Sequence, residues 1–401
     1  MSGTGAPDLT VVGGAGHVGV PLVLAFARAG LRVNINDLNR CALDELAAGR
    51  LAFLEQDAEP LLAAALKDKR LAFSTSPAEI TAGAPVIVTI GTPVDEFLNP
   101  VRKVVQACID DLLPWLSEGQ LLILRSTLYP GTTDWIAGYL ERQGKRLKVA
   151  FCPERVVQGQ GIRELGQMPQ IVSGVSPEAE EEAARLFGLI APEIVRVKPA
   201  EAELAKLFNN AYRYIEFATT NQFYLIAKSG GLDYGAIHGA MRHHYPRAKG
   251  IPSAGLAAGP CLFKDTMQLA AFAQNQFTLG QAAMLINEGI VLRIIDDLRA
   301  RFDLAPLTVG LLGMDFKADI DDTRASLSYK FKNMLSGLAG KVLTTDPFVR
   351  TDPDLTPLED VVERSDLLIL CTPHSAYRGV DLKGKPVVDI WRFLDGANRL
   401  P

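Results

Sequence analysis

A cysteine followed four residues later by an acid, Cys261 and Asp265 in the stretch GPCLFKD, stands about 240 residues after a glycine turn of the GxGxxG type. A thiolate adds to an aldehyde carbonyl, and a nicotinamide cofactor takes a hydride from carbon. Combined on one chain, the two elements describe a chemistry in which an alcohol passes through an aldehyde to an acid. The turn itself is Gly14-Ala15-Gly16-His17-Val18-Gly19, after the apolar run LTVVGG and before an amphipathic stretch. Gly14 is expected to allow the tight turn, Gly16 to let a pyrophosphate approach the backbone, and Gly19 to let helix and strand pack closely. The helix N-terminus then offers N–H groups and a favourable dipole to an anion. Asp37 closes the next apolar run about 20 residues on, where a carboxylate accepts from both ribose hydroxyls and repels a 2′-phosphate; this favours NAD over NADP.

Four more polar strings interrupt apolar surroundings: RSTLYPGTT (125–133), FCPERVVQG (151–159), EAELAKLFNNAYR (201–213) and GMDFKADIDDTR (313–324). Lys206 and Asn210 are four residues apart in a helical pattern and share one face. A lysine beside an amide holds an oxyanion or a water; the alternative is a solvated helix face. His17 is expected to shape the glycine turn. His238, His243 and His244 are clustered, but no cysteine or acid pattern accompanies them, so they are read as capping or solvated and no metal is expected.

The elements that must position these groups follow from the patterning. With 401 residues the chain is long enough for two or three domains. Hydrophobic residues at 48% and charged residues at 22% are ordinary for a globular protein. A net charge of −5 without a basic stripe argues against nucleic acid as a partner. No targeting segment and no apolar stretch of spanning length is visible, so no membrane is expected. Five scattered cysteines without a CxxC pair argue against disulfides and zinc and fit a reducing cytoplasm. The four apart from Cys261 read as small buried side chains.

Strands are predicted at 9–14, 31–37, 85–91, 120–126 and 147–151, alternating with helical patterns. Such alternation implies a parallel, doubly wound sheet. Residues 201–229 lack Gly and Pro and predict one long helix, and a second helical block is predicted from about 265 to 302. Strands return at 307–313, 341–346, 366–372 and 386–390. VIVTIGTPVD near 90 and LLILCTPHS near 370 echo each other, as two related α/β domains would. The fold class expected is α/β, with two doubly wound Rossmann-like domains joined by a long central helix. The divisions are a cofactor domain at 1–200, a helical spine at 201–302 and a second α/β domain at 303–401.

Taken in order, these strings resemble the nucleotide-sugar 6-dehydrogenases, which include the UDP-glucose and UDP-N-acetylhexosamine dehydrogenases. The resemblance runs nearly end to end, from GAGHVG to VVDIWRFL. It implies oxidation of a sugar C6 alcohol to a carboxylate, with two NAD reduced per turnover. Cys261 would then trap the aldehyde as a thiohemiacetal, and the thioester formed next would be hydrolysed. Lys206 would stabilise the C6 oxygen, with Asn210 and Asp265 orienting it and a water. Glu154 matches the general base, and Thr127 would bond the water or the cofactor. Thr92 and Pro93 match a turn beside the dinucleotide, and Arg324 an arginine reaching toward it. Glu154, Arg155, Lys206, Asn210 and Lys317 would face the UDP-sugar. The resemblance also implies that the spine at 201–302 is the core of a two-fold dimer and that the domain at 303–401 binds the UDP-sugar, so a homodimer is expected; Arg247, in HYPRAKG, matches an arginine that crosses that interface toward the substrate.

Within that family, Gln158 stands where glucose-type enzymes carry an acid, and PERVVQGQGIREL looks more like the hexosamine group, mannosamine or glucosamine. UDP-glucose is the second choice. IPSAGLAAGPC departs from the family's glycine-rich loop, with Ala257 and Ala258 at glycine positions and Pro260 where the hexosamine group has His; a narrower pocket, an unusual sugar substituent or reduced activity would follow. His374, after a strand, would touch a uracil or phosphate, or pack. Two rivals remain at this point. One is a two-electron hydroxyacid-type dehydrogenase, which needs neither Cys261 nor a second α/β domain. The other is a non-catalytic nucleotide-sugar-binding regulator, which tolerates loss of Cys261.

Overall fold

Short apolar runs, most of them buried on both sides, form thirteen strands among the residues described, 5–95 and 101–400, in a computed structural model. The first sheet holds β1 (Leu9–Val12), β2 (Val33–Asn36), β3 (Leu71–Ser74), β4 (Val86–Val88), β5 (Leu121–Leu124), β6 (Lys148–Phe151), β7 (Gln170–Gly174) and β8 (Ile194–Arg196). Their order is β3-β2-β1-β4-β5-β6-β7-β8. All pairs are parallel except β6 with β7, an antiparallel step that the expectation of a parallel sheet did not include. The second sheet holds β9 (Thr308–Leu312), β10 (Lys341–Thr345), β11 (Leu367–Leu370), β12 (Pro386–Val388) and β13 (Asn398–Arg399), all parallel, in the order β10-β9-β11-β12-β13. In each sheet the order reverses beside the first strand, between β1 and β4 and between β9 and β11. Such switch points open a crevice at the carboxyl ends of the strands.

The chain divides into two compact units, one ending at Phe208 and one beginning at Asn209, with the division inside the helix Pro199–Ser229. That helix is the predicted spine, begun two residues earlier because proline is tolerated in a first turn. In the N-terminal unit one sheet face packs Phe26, Ala183 and Phe187, and the other packs Ile109, Ile136 and Leu140. In the C-terminal unit Ile290, Ile294 and Leu298 pack on Val309, Leu311 and Phe331.

Three details depart from the sequence reading. The predicted block 265–302 is two helices, Leu262–Phe272 and Thr278–Arg301, separated where Gln274 and Asn275 take φ of 51° and 60°. Strands β3, β7, β8 and β13 were not expected. β8 is mostly exposed and β3 half-buried along its middle, so neither shows a continuous apolar run. Thr278–Arg301 is long and apolar enough, by length and composition alone, to cross a membrane, contrary to expectation. Five of its apolar side chains, from Ile290 to Leu298, are instead buried in the C-terminal core.

Two buried asparagines tie the C-terminal unit together. Asn221 Nδ2 donates to Asn287 Oδ1 (2.9 Å), and Asn287 Nδ2 donates to the Tyr214 carbonyl (2.9 Å). The Gly255 N–H donates to Asn221 Oδ1 (2.9 Å), which fixes the loop leading to Cys261 onto the spine. Neither asparagine is exposed. Asn287→Ala leaves the Asn221 Nδ2 donor buried without its partner and is expected to cost about 1–3 kcal/mol in urea unfolding.

Candidate active site

The glycine turn lies at the carboxyl end of β1, beside the first switch point. Gly13, which the motif reading passed over, carries the turn's positive φ of 74°. Gly14 has no positive φ; a Cβ there would lie 2.7 Å from the Val11 carbonyl oxygen. A Cβ on Gly19 would lie 2.5 Å from Gly14 Cα, so the helix Gly19–Arg28 is seated directly on the turn. At Gly16 a Cβ would make only ordinary contact, at 3.5 Å. No side chain caps that helix at Val18. Asp37 Oδ2 accepts the Ala15 N–H (3.1 Å), binding the end of β2 to the turn, and Oδ1 accepts the Asn39 N–H (2.9 Å). The His17 ring stacks on Phe53 at 4.0 Å.

Across the switch point, Thr92 Oγ1 donates to the Thr127 carbonyl (2.8 Å), and Ser126 Oγ donates to the Ile90 carbonyl (2.6 Å). The turn bearing Thr92 and Pro93 is thus pinned to the one bearing Thr127. The helix Thr132–Arg142 after that turn is capped from the spine. Glu203, fully buried, accepts from the Gly131 N–H (2.6 Å), the Thr133 N–H (2.8 Å) and the Thr133 hydroxyl (2.6 Å). Burial lifts its carboxyl above the ordinary value while those donors work against the rise.

Glu154 is buried and fully engaged. Its Oε1 accepts the Arg155 (2.7 Å) and Val156 (2.9 Å) N–H groups, and its Oε2 accepts from Arg125. Arg125 has no exposed surface and also donates to the Cys152 carbonyl and Gln170 Oε1 (both 3.1 Å), over the face of Phe187. Arg155 donates to the Pro169 carbonyl, and burial lowers its pKa below the ordinary value despite the Glu154 charge. Lys206 is half-buried on the spine.

In the C-terminal unit Cys261 is exposed and occupies the N-cap of the eleven-residue helix Leu262–Phe272. A thiol there sits at the positive end of a helix dipole. One turn on, Asp265 is completely buried; its Oδ2 accepts from Asn210 Nδ2 at 2.5 Å, and Lys264 Nζ lies 3.1 Å from its Oδ1. The structure thus brings Asn210 together with Asp265, one helical turn after Cys261 in the chain. Arg324 forks onto Asp322 with bonds of 2.6–3.0 Å, the main cause of its raised pKa, and the Cys261 thiol adds to that rise. Lys317 is half-buried in the same loop. Arg247 is exposed and lies over the Tyr245 ring, to whose hydroxyl it donates (3.2 Å). The alanine-rich loop before Cys261 is packed inward, with Ala254, Leu256 and Ala257 buried.

Comparison with known proteins meets the chain over nearly its whole length. It matches three domains of the UDP-glucose/GDP-mannose dehydrogenase family: the NAD binding domain at 8–190, the central domain at 200–289 and the UDP binding domain at 310–396. It is 30% identical over 383 residues to a UDP-N-acetyl-D-mannosamine dehydrogenase of Pyrococcus horikoshii, covering 92% of this chain and 90% of that one.

The chain belongs to the UDP-glucose/GDP-mannose dehydrogenase family.

Other members resemble it comparably. An NDP-N-acetyl-D-galactosaminuronic acid dehydrogenase of Ralstonia nicotianae is 28% identical, with 96% of each chain covered. The solved structure of a UDP-glucose dehydrogenase from Pyrobaculum islandicum superposes with a TM-score of 0.89 at 25% identity, covering 98% of each chain. This protein is accordingly an NAD-dependent nucleotide-sugar dehydrogenase. The cradle fits NAD on its own geometry: an uncapped helix N-terminus, glycines where a Cβ would collide, and Asp37 at the neighbouring strand end.

Sequence reasoning missed Gly13, Arg125 and Glu203. Arg125 had one visible signal, a charged residue closing the apolar run LLIL. The thiols of the dehydrogenase also separate by environment. Burial pushes Cys108, Cys152 and Cys371 up to about 12, whereas Cys41 is exposed and so is not the buried side chain expected. Iodoacetamide at pH 8 is therefore expected to modify Cys261 first and Cys41 next, and to leave Cys152 and Cys371 unmodified in the folded enzyme, as read by peptide mass spectrometry.

Proposed function

We propose that this dehydrogenase oxidises the C6 alcohol of a UDP-N-acetylhexosamine, of mannosamine or glucosamine type, to the uronate through a covalent intermediate on Cys261. The observation that carries the reading is the exposed thiol at a helix N-cap, backed by the buried Asn210–Asp265 pair. A binding module has no use for a nucleophile so placed.

NAD, when bound, supplies the hydride acceptor, one molecule for each of the two oxidations, and each oxidation also releases one hydroxyl proton to solvent. Lys206 stabilises the C6 oxygen as it gains negative charge. Asn210, held by Asp265, orients that oxygen and a water. Cys261 adds to the aldehyde, giving the tetrahedral thiohemiacetal whose carbon bears the hydrogen still to be removed. Loss of that hydride leaves a thioester. Water hydrolyses it, with Glu154 as base and Thr127 bonding the water, and the thiol is released. Glu154 is held for this task by Arg125 and two backbone N–H groups. Gly14, Gly16, His17, Val18, Gly19, Asp37, Thr92, Pro93 and Arg324 serve the cofactor. Arg155, Lys317 and Arg247 serve the anionic substrate, Arg247 from a second copy.

N-acetylhexosamine is favoured over glucose by Gln158 and by relatives named for N-acetylated sugars. UDP-glucose remains the second reading, supported by the likeness to the Pyrobaculum islandicum enzyme. We also infer a homodimer. Tyr212, Ile226 and Leu285 are 63%, 59% and 69% exposed on helices of the C-terminal unit, apolar surface that a second copy would cover. The division 1–200, 201–302 and 303–401 and a cytoplasmic location complete the reading, with the uronate destined for surface polysaccharide.

A panel of UDP-sugars assayed for NADH and product mass tests the substrate, and two NADH per uronate tests the chemistry. Cys261→Ala is expected to make no uronate; undiminished uronate from that variant refutes the mechanism. Lys206→Ala is expected to lower kcat by roughly 10²–10³-fold with the fold intact by circular dichroism.

A further inference from the structure

Three strand ends of the C-terminal sheet converge on one carboxyl group. Asp315 lies just beyond β9, Asp346 directly follows β10, and His374 follows β11. The Asp315 side chain has no exposed surface, and neither of its oxygens has a hydrogen-bond partner among the described residues. Asp346 is committed elsewhere: Oδ2 accepts the Met314 N–H (2.6 Å), and Oδ1 accepts the Phe348 (2.8 Å) and Val349 (3.0 Å) N–H groups. His374 Nδ1 accepts the Asp319 N–H (3.0 Å), which places the ring proton on Nε2. That nitrogen lies 3.2 Å from Asp346 Oδ2 and 3.3 Å from Asp315 Oδ2.

The three groups offer ligand atoms within 4.8 Å of one another. A cation at Nε2, however, needs the proton on Nδ1, where the Asp319 N–H already points. A proton on the Asp315 carboxyl resolves the charge without moving the ring. The His374 N–H opposes that proton, but burial and the acids around the carboxyl favour it. Burial, then Asp346, Asp321, Asp322 and Asp319, push it up to about 9, and Tyr329 and Tyr377 face it from their own segments. His374 donates to Asp346, which stays below the ordinary value: burial opposes this, and the His374 hydrogen bond with those of the Met314 and Phe348 N–H groups outweighs it.

The loop that begins here is clamped at several points. Thr372 Oγ1 (2.7 Å) and Ser326 Oγ (2.9 Å) donate to the Asp315 carbonyl, and Asp319 Oδ1 accepts the Ser375 N–H (2.8 Å) and hydroxyl (2.9 Å). It carries Lys317 and Arg324. We propose that Asp315 is a positioning residue: as a neutral acid against Asp346 and His374 it latches the loop 315–324, and its ionisation releases that loop. The link to catalysis rests on the reading of Lys317 and Arg324 given above; the latch itself does not.

The sign of the pH effect follows from the raised value. Folded protein holds the Asp315 proton more tightly than unfolded chain does, so this group's contribution to stability declines from the ordinary aspartate range up to about 9. Above that pH the folded protein carries two adjacent carboxylates and the latch opens.

Hydrogen–deuterium exchange of the peptide spanning 315–326, corrected for intrinsic rate, with KM for the UDP-sugar between pH 7 and 10, tests this on the intact enzyme. Wild type is expected to lose loop protection above pH 9 and to raise KM several-fold. Asp315→Asn, which mimics the neutral acid, is expected to keep KM at pH 7.5 within about twofold and to lack both alkaline responses. The wild-type exchange profile decides alone if that variant does not fold. Loop protection in wild type that ignores pH overturns the proposal, as does an alkaline response retained by Asp315→Asn, or a stoichiometric divalent cation in the purified enzyme. Lost protection with unchanged KM supports the latch and overturns the roles given to Lys317 and Arg324 instead.

Discussion

In each sheet a carboxylate at the end of the second strand grips the backbone of the turn that leaves the first. Asp37 takes the Ala15 N–H, and Asp346 takes the Met314 N–H. The registers match, with Val12 opposite Asn36 and Leu312 opposite Thr345, so the two acids occupy corresponding places. This grip fixes the backbone where parallel strands deliver their side chains. Around it the units diverge by volume alone. Gly14, Ala15 and Gly16 leave the first turn open for a diphosphate, whereas Met314, Asp315 and Phe316 fill the second with its own side chains. One scaffold thereby yields a cofactor cradle and a filled loop that carries Lys317 and Arg324.

The groups proposed above for chemistry are held by partners given no part in it. The Glu154 carboxylate is not free to turn. Arg125 and two N–H groups hold it, and the guanidinium rests on Phe187, which belongs to the core of the same unit. A buried ion pair of this kind is weak evidence for added stability, since desolvation offsets attraction, but removing either partner strands a charge. Asn210 relies in the same way on Asp265.

Much of this was legible in the sequence, for a physical reason. The strands predicted correctly, β1, β2, β4 to β6 and β9 to β12, run through mostly buried apolar residues, whereas β7, also buried, opens on Gln170 and closes on Ser173 and Gly174, which breaks the apolar run. The strands β3 and β8 carry mixed burial and leave no such trace. The helix break at Gln274 and Asn275 was invisible because neither glycine nor proline marks it. The GxGxxG spacing revealed the cradle, yet the residue that bends the chain, Gly13, lies just outside the motif. Arg125, Glu203 and the cluster around Asp315 depend on pairings across 28 to 70 residues, which local pattern does not encode.

Gly259 carries a consequence for how such enzymes diversify. Its φ is +103°, and any Cβ there would stand 2.6 Å from the Phe316 ring, while its N–H donates to the Ala325 carbonyl. The segment presenting the sulfur and the segment presenting the cations are therefore fitted against each other like two halves of a mould. Transplanting either one from a relative with different sugar preference would disturb its mate, so the two must be exchanged as a pair.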